Sequence, residues 1–174
     1  MKYFVKIFVI TFFVLVITNA QAEQNIVFID MSKIMNESKA GKSAQKYIQN
    51  SIKLNLESFK KSEEKLKKKE RDLLDKKNIL KKEEYKRKLD ELRNDIDNYQ
   101  KERRKKNENS SKLRARAMQL INENVILLLA DYAKENNIDI ILNKKDVVLG
   151  MTEKDITQII MDKFNKKISS IDLN

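Results

Sequence analysis

The chain has 174 residues, of which 37 are Lys or Arg and 26 are Asp or Glu, giving a formal net charge of +11. It contains no Cys, His, Pro or Trp and only two Gly, so disulfides, zinc fingers, thiol nucleophiles, Ser-His-Asp triads and glycine-rich phosphate loops are excluded. A chain without Pro and almost without Gly favours long uninterrupted helices.

The first 22 residues predict a secretory signal peptide. Lys2 and Lys6 precede or flank an apolar stretch over 7–17, and Ala20-Gln21-Ala22 has the small-residue pattern of a cleavage site. The alternative is an uncleaved membrane anchor, but a spanning helix needs about 20 apolar residues and this stretch has about half that length. We predict cleavage after Ala22 and export of the mature chain to the periplasm.

Charged and apolar residues occupy different parts of the predicted mature chain. Residues 53–116 hold 24 basic and 14 acidic residues, a net of +10, whereas the rest of the mature chain holds 11 and 12, a net of −1. We therefore predict an α+β protein with a small β-rich oligomerisation body, made of residues 23–50 and 117–174. A basic arm, residues 51–116, is inserted between the two halves of the body.

The arm pattern predicts two helices. Apolar residues recur first every seven positions and then at four-three spacing, at Ile52, Phe59, Leu66, Leu73 and Leu80, and at Tyr85, Leu89, Leu92, Ile96 and Tyr99. The two series are out of phase, so a turn around 78–82 would fold the second helix back as an antiparallel hairpin. One continuous kinked helix is the alternative.

The hairpin seam is interrupted by charge. Glu63, Glu70 and Lys77 stand where a strong coiled coil has Leu, so we expect a marginally stable, flexible hairpin.

Both ends of the mature chain contribute elements to the predicted body. Residues 26–29 predict a buried strand, residues 30–35 a short helix, and Asn136-Asn137 the end of the returning helix. Two apolar runs, 138–142 and 147–149, flank polar residues and predict a β-hairpin.

The last predicted element is a helix capped by Thr152. Its apolar face is formed by Ile156, Ile159, Ile160 and Phe164.

A body of this size buries a limited core, and three short strands leave open edges. We therefore expect protomers to associate through the strands and the helix around Leu127. The candidate contacts are Ile26, Phe28, Leu127, Ile140, Leu142 and Val148.

The order of segments along the chain resembles that of the Skp (OmpH-like) periplasmic chaperones. These segments are the signal peptide, the opening strand over 25–30, the charged hairpin and the terminal segment from 138 to 157. The most specific matches are Asp139-Ile140-Ile141-Leu142 with Val147-Val148, and Lys154-Asp155-Ile156-Thr157. The resemblance covers essentially the whole mature chain.

The resemblance implies a homotrimer shaped like a jellyfish, with three hairpins around a cavity. Such proteins hold unfolded outer-membrane proteins without ATP and associate with anionic lipid and lipopolysaccharide. The resemblance places the lipid contact at Arg104 and Lys105 and implies neither a metal nor another cofactor. Glycines often present in the arms of the family are missing here.

Apolar stripes on flexible helices supply weak, adaptable contacts, and a cationic cavity attracts anionic partners. Each candidate client contact also fits packing in the hairpin seam, which is the more common role of such residues, and a flexing seam could do both. The candidates are Ile52, Leu56, Phe59, Leu66, Leu73, Leu80, Tyr85 and Leu89.

Three other classes of protein compete with the chaperone interpretation. An enzyme is the poorest candidate, because acids scattered along solvated helices do not form an acid/base pair. A basic nucleic-acid-binding helical protein fits the charge, but the signal peptide argues against it, so no specific nucleic acid is predicted. An exported structural coiled coil fits the signal peptide, but the terminal α/β body argues against it.

Overall fold

The computed structural model describes residues 24–173, so the predicted signal peptide lies outside the described residues. The elements, in chain order, are β1 (Ile26–Ile29), α1 (Met31–Glu37), α2 (Lys39–Asp75), α3 (Lys82–Glu135), β2 (Ile140–Asn143), two single-turn 3₁₀ helices (Lys144–Asp146 and Thr152–Lys154) and α4 (Thr157–Lys167). Among these described residues, no helix combines the length and the apolar character needed to cross a bilayer.

Two side-chain caps set the entry into the long helix α2. The Asp30 carboxylate accepts a hydrogen bond from the Lys33 backbone N–H at 2.8 Å, which starts α1 as predicted. Ser38, fully buried between α1 and α2, accepts one from the Gly41 backbone N–H at 3.0 Å. A Cβ at Gly41 would lie 2.0 Å from the Met35 carbonyl oxygen, so the close approach of the two helices requires glycine.

The helical hairpin is confirmed, and the continuous kinked helix is wrong. Helix α2 ends at Asp75, a turn follows, and α3 runs back from Lys82. Contacts across the hairpin join distant residues, as in the 2.6 Å ion pair between Lys69 Nζ and Asp95 Oδ2. At 1.5 Å per residue, α2 is about 55 Å long and α3 about 80 Å long.

The predicted β-hairpin after α3 is wrong. Strand β2 instead pairs in parallel with β1, with Ile26 opposite Ile140 and Ile29 opposite Asn143. The Asn143 side chain accepts from the Lys145 backbone N–H at 3.3 Å and caps a 3₁₀ turn, which carries the chain away from the sheet. Residues 147–149 form no strand, so within residues 24–173 the body contains two strands and is not β-rich.

The last helix also begins later than predicted. Thr152 opens a 3₁₀ turn, and α4 starts at Thr157, whose backbone N–H donates to Asp155 Oδ1 at 3.0 Å. The Ile156 backbone N–H donates to the Phe28 carbonyl at 3.0 Å, so this segment runs along the other edge of β1.

The core of the body lies where β1, α1, α3 and α4 meet. Of the predicted face of α4, the side chains of Ile156, Ile160 and Phe164 are buried there, whereas Ile159 is exposed. Helix α3 ends at Glu135 as predicted, with Asn137 in the left-handed region at φ 50°. The buried members of the core are Val27, Ile29, Ile34, Ala40, Ile121, Val125, Ile156, Ile160, Met161 and Phe164.

Gly41→Ala tests the close approach of α1 and α2. Helix propensity and the contact with the Met35 carbonyl should change the unfolding free energy in opposite directions. Helix propensity alone would stabilise the protein by about 1 kcal/mol. The contact with the Met35 carbonyl should instead lower the unfolding free energy by about 1–3 kcal/mol, measured by urea denaturation. Ser58→Ala, at an exposed position of α2, should stay within about 0.5 kcal/mol. A gain in stability from Gly41→Ala would contradict the packing described.

Candidate functional site

The predicted client-contact residues divide into three groups by exposure. Phe59 and Leu73 are buried in the hairpin seam, where Leu92 of α3 is also buried. Leu56 points out of the seam, with 60% of its surface exposed. The half-buried group consists of Ile52, Leu66, Leu80, Tyr85 and Leu89. The hairpin therefore leaves part of this apolar stripe accessible along its length.

One opening in the seam lies between the base and the middle of the arm. Here the apolar side chains of Ile52, Leu56 and Phe59 border a space that has polar residues of α3 on its other side. The result is a cavity of about 240 Å³, lined by these three residues and by Asn55, Asn107, Ser110, Ser111 and Arg114. An apolar stripe next to polar groups and open space is suited to transient contact with another chain.

The Ser110 hydroxyl adds a local weakness at the same level of α3. It donates a hydrogen bond to the Lys106 carbonyl at 3.0 Å, one turn earlier. This kind of bond competes with the helical ladder, slightly destabilises a helix and often bends it. Ser110 also lines the opening, so this hydrogen bond lies at its wall.

A polar cluster interrupts the middle of the seam. The Tyr99 hydroxyl donates to Glu63 Oε1, and Arg103 Nη1 lies 3.7 Å from the same oxygen. The hydrogen bond to Glu63 and partial burial raise the pKa of the Tyr99 phenol above its ordinary value. The rings of Tyr99 and Phe59 meet edge to face at 6.1 Å. This cluster holds the helices together with polar as well as apolar contacts.

The predicted lipid contacts lie beside this cluster. Arg104 and Lys105 are exposed, and within residues 24–173 neither forms an ion pair. Arg104 lines a second opening of about 550 Å³, together with Leu66, Ile96 and Tyr99. The opening therefore combines apolar walls with cationic side chains that are free to meet an anionic group.

The predicted oligomerisation residues form an exposed apolar face on the body, with one exception. Leu127 is 61% exposed, Val148 is fully exposed, and Ile26, Ile140 and Leu142 are each exposed over about two-fifths of their surface. Phe28 is buried within the protomer, where Lys144 Nζ lies 5.8 Å from its ring centroid. Phe28 thus packs inside the protomer rather than in this exposed face.

An apolar groove of about 350 Å³ continues the exposed face of the body. It lies between β2 and α3 and is lined by Ile29, Met31, Ile126, Leu129, Ala130, Ala133, Ile141, Leu142 and Asn143. Exposed apolar area of this kind on a soluble domain marks a contact surface.

An ion pair between Lys144 and Asp155 joins the turn after β2 to the segment just before α4. Lys144 Nζ lies 2.7 Å from Asp155 Oδ2, while Asp155 Oδ1 accepts from Thr157. Burial would raise the pKa of Asp155, but the hydrogen bonds from Lys144 and Thr157 outweigh it and lower the pKa. The same hydrogen bond, with the charge of Asp155, raises the pKa of Lys144. The pair therefore stabilises the folded body when both groups are charged.

Sequence reasoning missed the residues that open the seam. Asn55, Asn107 and Ser110 are polar residues in a polar arm, and nothing in the heptad pattern sets them apart. A signal was present in α3, because no apolar residue occurs between Tyr99 and Leu113. That gap of almost two heptads predicts a stretch of α2 without an apolar partner.

The described residues thus form a long basic helical hairpin that rises from a small body with an exposed apolar face. Residues 25–164 match the family described as Outer membrane protein (OmpH-like), so the chain belongs to this family. The resemblance to the Skp (OmpH-like) proteins is thus confirmed. No curated protein sequence matches the chain.

The fold is also that of a solved structure. The crystal structure of a candidate outer membrane chaperone (OmpH-like) from Caulobacter crescentus is similar with a TM-score of 0.80 and 13% sequence identity. The similarity covers 89% of this chain and 92% of that chain, and at this identity it shows the fold. The family match and the fold of this neighbour therefore agree.

Asp155→Asn tests the ion pair between Lys144 and Asp155 through the pH dependence of the unfolding free energy. Because the pKa of Asp155 is lowered in the folded protein, its contribution to stability is present at neutral pH and is lost as pH falls through that pKa. We expect the variant to lose about 1 kcal/mol at pH 7, and the difference from the unmodified protein to shrink toward pH 3. Denaturation at several pH values measures this. Asp131→Asn, on an exposed position of α3, is the control, and a difference independent of pH would contradict the prediction.

Proposed function

We propose that this protein is an ATP-independent periplasmic holdase, which binds unfolded outer-membrane β-barrel proteins between helical arms and prevents their aggregation. The observation that carries the proposal is the incompletely packed apolar stripe of the arm. Leu56 is exposed, and Ile52, Leu56 and Phe59 face a cavity with polar residues on its far side.

The chemistry of the client suits this surface. Strands of outer-membrane β-barrels alternate apolar and polar side chains, so an unfolded barrel offers many short apolar contacts and no single large one. A stripe that is interrupted by Glu63 and Arg103 can make many weak contacts of the same kind. The net charge of +10 on residues 53–116 attracts acidic segments over a distance of about 10 Å.

A trimer would bring the arms together around a client. The body supports such assembly, because Leu127, Ile140, Leu142 and Val148 expose apolar surface and β2 leaves one edge unpaired within residues 24–173. Burial of this face between copies would stabilise a body whose own core is small.

Anionic lipid or lipopolysaccharide is a second proposed partner of the arm. Arg104 and Lys105 are exposed and unpaired within the described chain, and Arg104 borders the larger opening of the seam. A phosphate group could bind Arg104 at this opening without displacing an ion pair of that side chain within the described chain, and Lys105 follows it directly in α3.

Two observations disfavour the alternative functions. The aromatic rings of Phe59 and Tyr99 pack on each other inside the seam, so they do not offer a platform on which bases could stack. A purely structural coiled coil would be expected to fill its seam, whereas this hairpin leaves openings of about 240 and 550 Å³.

The purified mature protein should keep an unfolded outer-membrane β-barrel soluble without nucleotide. Light scattering after dilution of the barrel from urea measures aggregation. A stoichiometric amount of the protein should suppress the signal, and the suppression should survive moderate salt because apolar contacts contribute to holding. Equal aggregation with and without the protein would sink the proposal. Loss of activity in moderate salt would instead indicate binding through charge alone.

Leu56→Ser and Leu54→Ser form a matched pair that tests the stripe. Both leucines are largely exposed on α2, at 60% and 66%, but two residues of helix place them on nearly opposite sides. Leu56→Ser should weaken client binding about 3- to 10-fold, because it removes apolar area that faces the opening. Leu54→Ser should leave affinity unchanged in a titration with labelled client. Equal losses would show that any exposed leucine serves.

Leu127→Glu tests assembly through the body. A carboxylate at the centre of the exposed apolar face should prevent burial of that face between copies. Native mass measurement should change from trimer to monomer, while the helical circular dichroism signal is retained because Leu127 lies outside the core. Met118→Glu, at another exposed apolar position of α3, is the control. A trimer that persists with Glu at position 127 would locate the interface elsewhere.

A further inference from the structure

The segment after α4 lies across the base of the arm. Residues 168–173, here called the tail, have no regular secondary structure. Leu173 is only 9% exposed and packs in a cluster with Ala44 and Ile48 of α2 and Ala117 of α3. An irregular terminal segment is seldom buried in this way unless its side chains find a complementary surface.

The surface beneath the tail is an apolar groove between the two arm helices. Small residues, Ala44 and Ala117, form its floor, and larger apolar residues form its walls. We name this surface the base groove, and it consists of Ala44, Ile48, Ile52, Leu113, Ala117 and Leu120. Ala44, Ile48 and Ala117 also line an adjacent open cavity of about 490 Å³, so further side chains find room beside the tail.

The tail carries the side-chain pattern of the proposed clients. Ile171 and Leu173 point inward, whereas Asp172 between them is exposed. Alternation of apolar and polar side chains is the signature of strands in outer-membrane β-barrels. The base groove therefore already holds a short segment in which two apolar residues flank a polar one, and this segment belongs to this chain.

We propose that the base groove is a binding site for an extended client segment with alternating apolar side chains, and that the tail occupies this site when no client is bound. The inference rests on the holdase function proposed above and adds a defined subsite and its regulation. Ile52 belongs both to the base groove and to the opening beside Leu56, so a client held by the arm stripe continues directly into the groove.

Exchange of the tail for client is favoured by the limited burial of the tail. Leu173 is buried and Ile168 and Ile171 are half-buried, whereas Ser169 and Ser170 are exposed. Because client cannot bind the groove while the tail occupies it, the apparent affinity equals the affinity of the open groove multiplied by the fraction of molecules in which the groove is open. A tail that is closed in nine of ten molecules thus weakens binding about tenfold.

A fluorescent peptide with the sequence of residues 168–173 is the direct probe. Full-length mature protein, a variant truncated after Lys167 and Leu173→Ser are compared by fluorescence anisotropy. Both variants should bind the peptide about tenfold more tightly than the full-length protein, and an unfolded outer-membrane β-barrel should displace it. Leu173→Ser leaves Ile171, which also contacts the body core, in place. Ser169→Ala, at an exposed tail position, should behave like the unmodified protein.

A crosslinked form keeps the test independent of any loss of folding. The chain has no cysteine, so Ile48→Cys and Leu173→Cys, at two positions that pack in one cluster, introduce a single pair of thiols that a short bismaleimide can join. The joined protein should bind client more weakly than the same protein before joining. No peptide binding by either variant, or no displacement by client, would overturn the proposal. If the full-length protein holds no client at all, the holdase function fails instead, and peptide binding by the truncated variant still reports on the groove.

Discussion

The pairing of α2 with α3 through a few separated contacts is the constraint on which the rest of the protein depends. Phe59, Leu73 and Leu92 are buried in the seam, while Glu63 and Arg103 meet there through charge. Association of helices is driven mainly by burial of an apolar face, so a seam buried only at intervals holds the hairpin without closing it. The same apolar residues can therefore stabilise the arm and remain partly available to another chain.

The arm and the body are continuous, which gives contacts at the base of the arm particular weight. Helix α3 runs without interruption from the turn to the body core, where Ile121 and Val125 are buried. Gly41 brings α2 close to α1 at the same level, and Ile171 of the tail contacts both the body core and the base groove. Ile171 therefore connects the tail to the body core and to the base of the arm at once.

Much of the fold could be predicted because its signals are local. The strand at Ile26–Ile29, the cap at Asp30 and the helix stop at Asn137 each depend on a few neighbouring residues. The pairing of β2 with β1 depends on residues more than a hundred positions apart, so local turn residues wrongly indicated a hairpin. Asp155 likewise accepts hydrogen bonds from Lys144 and Thr157 just before α4, whereas the sequence alone favours Thr152 as the start of the last helix.

The candidate site likewise combines features set by local sequence with features set by long-range packing. Heptad spacing identifies the apolar stripe, but it does not show how far α3 is displaced along α2, so the openings beside Leu56 and Leu66 emerge only from the packed hairpin. Loose packing of the arm beside these openings, and client binding there, can be measured by amide hydrogen exchange, residue by residue, with and without an unfolded β-barrel. We expect fast exchange in α2 and α3 beside the openings, slow exchange in the body core, and protection beside the openings when client binds. Uniformly slow exchange along the arm, unchanged by client, would contradict loose packing and client binding at the openings.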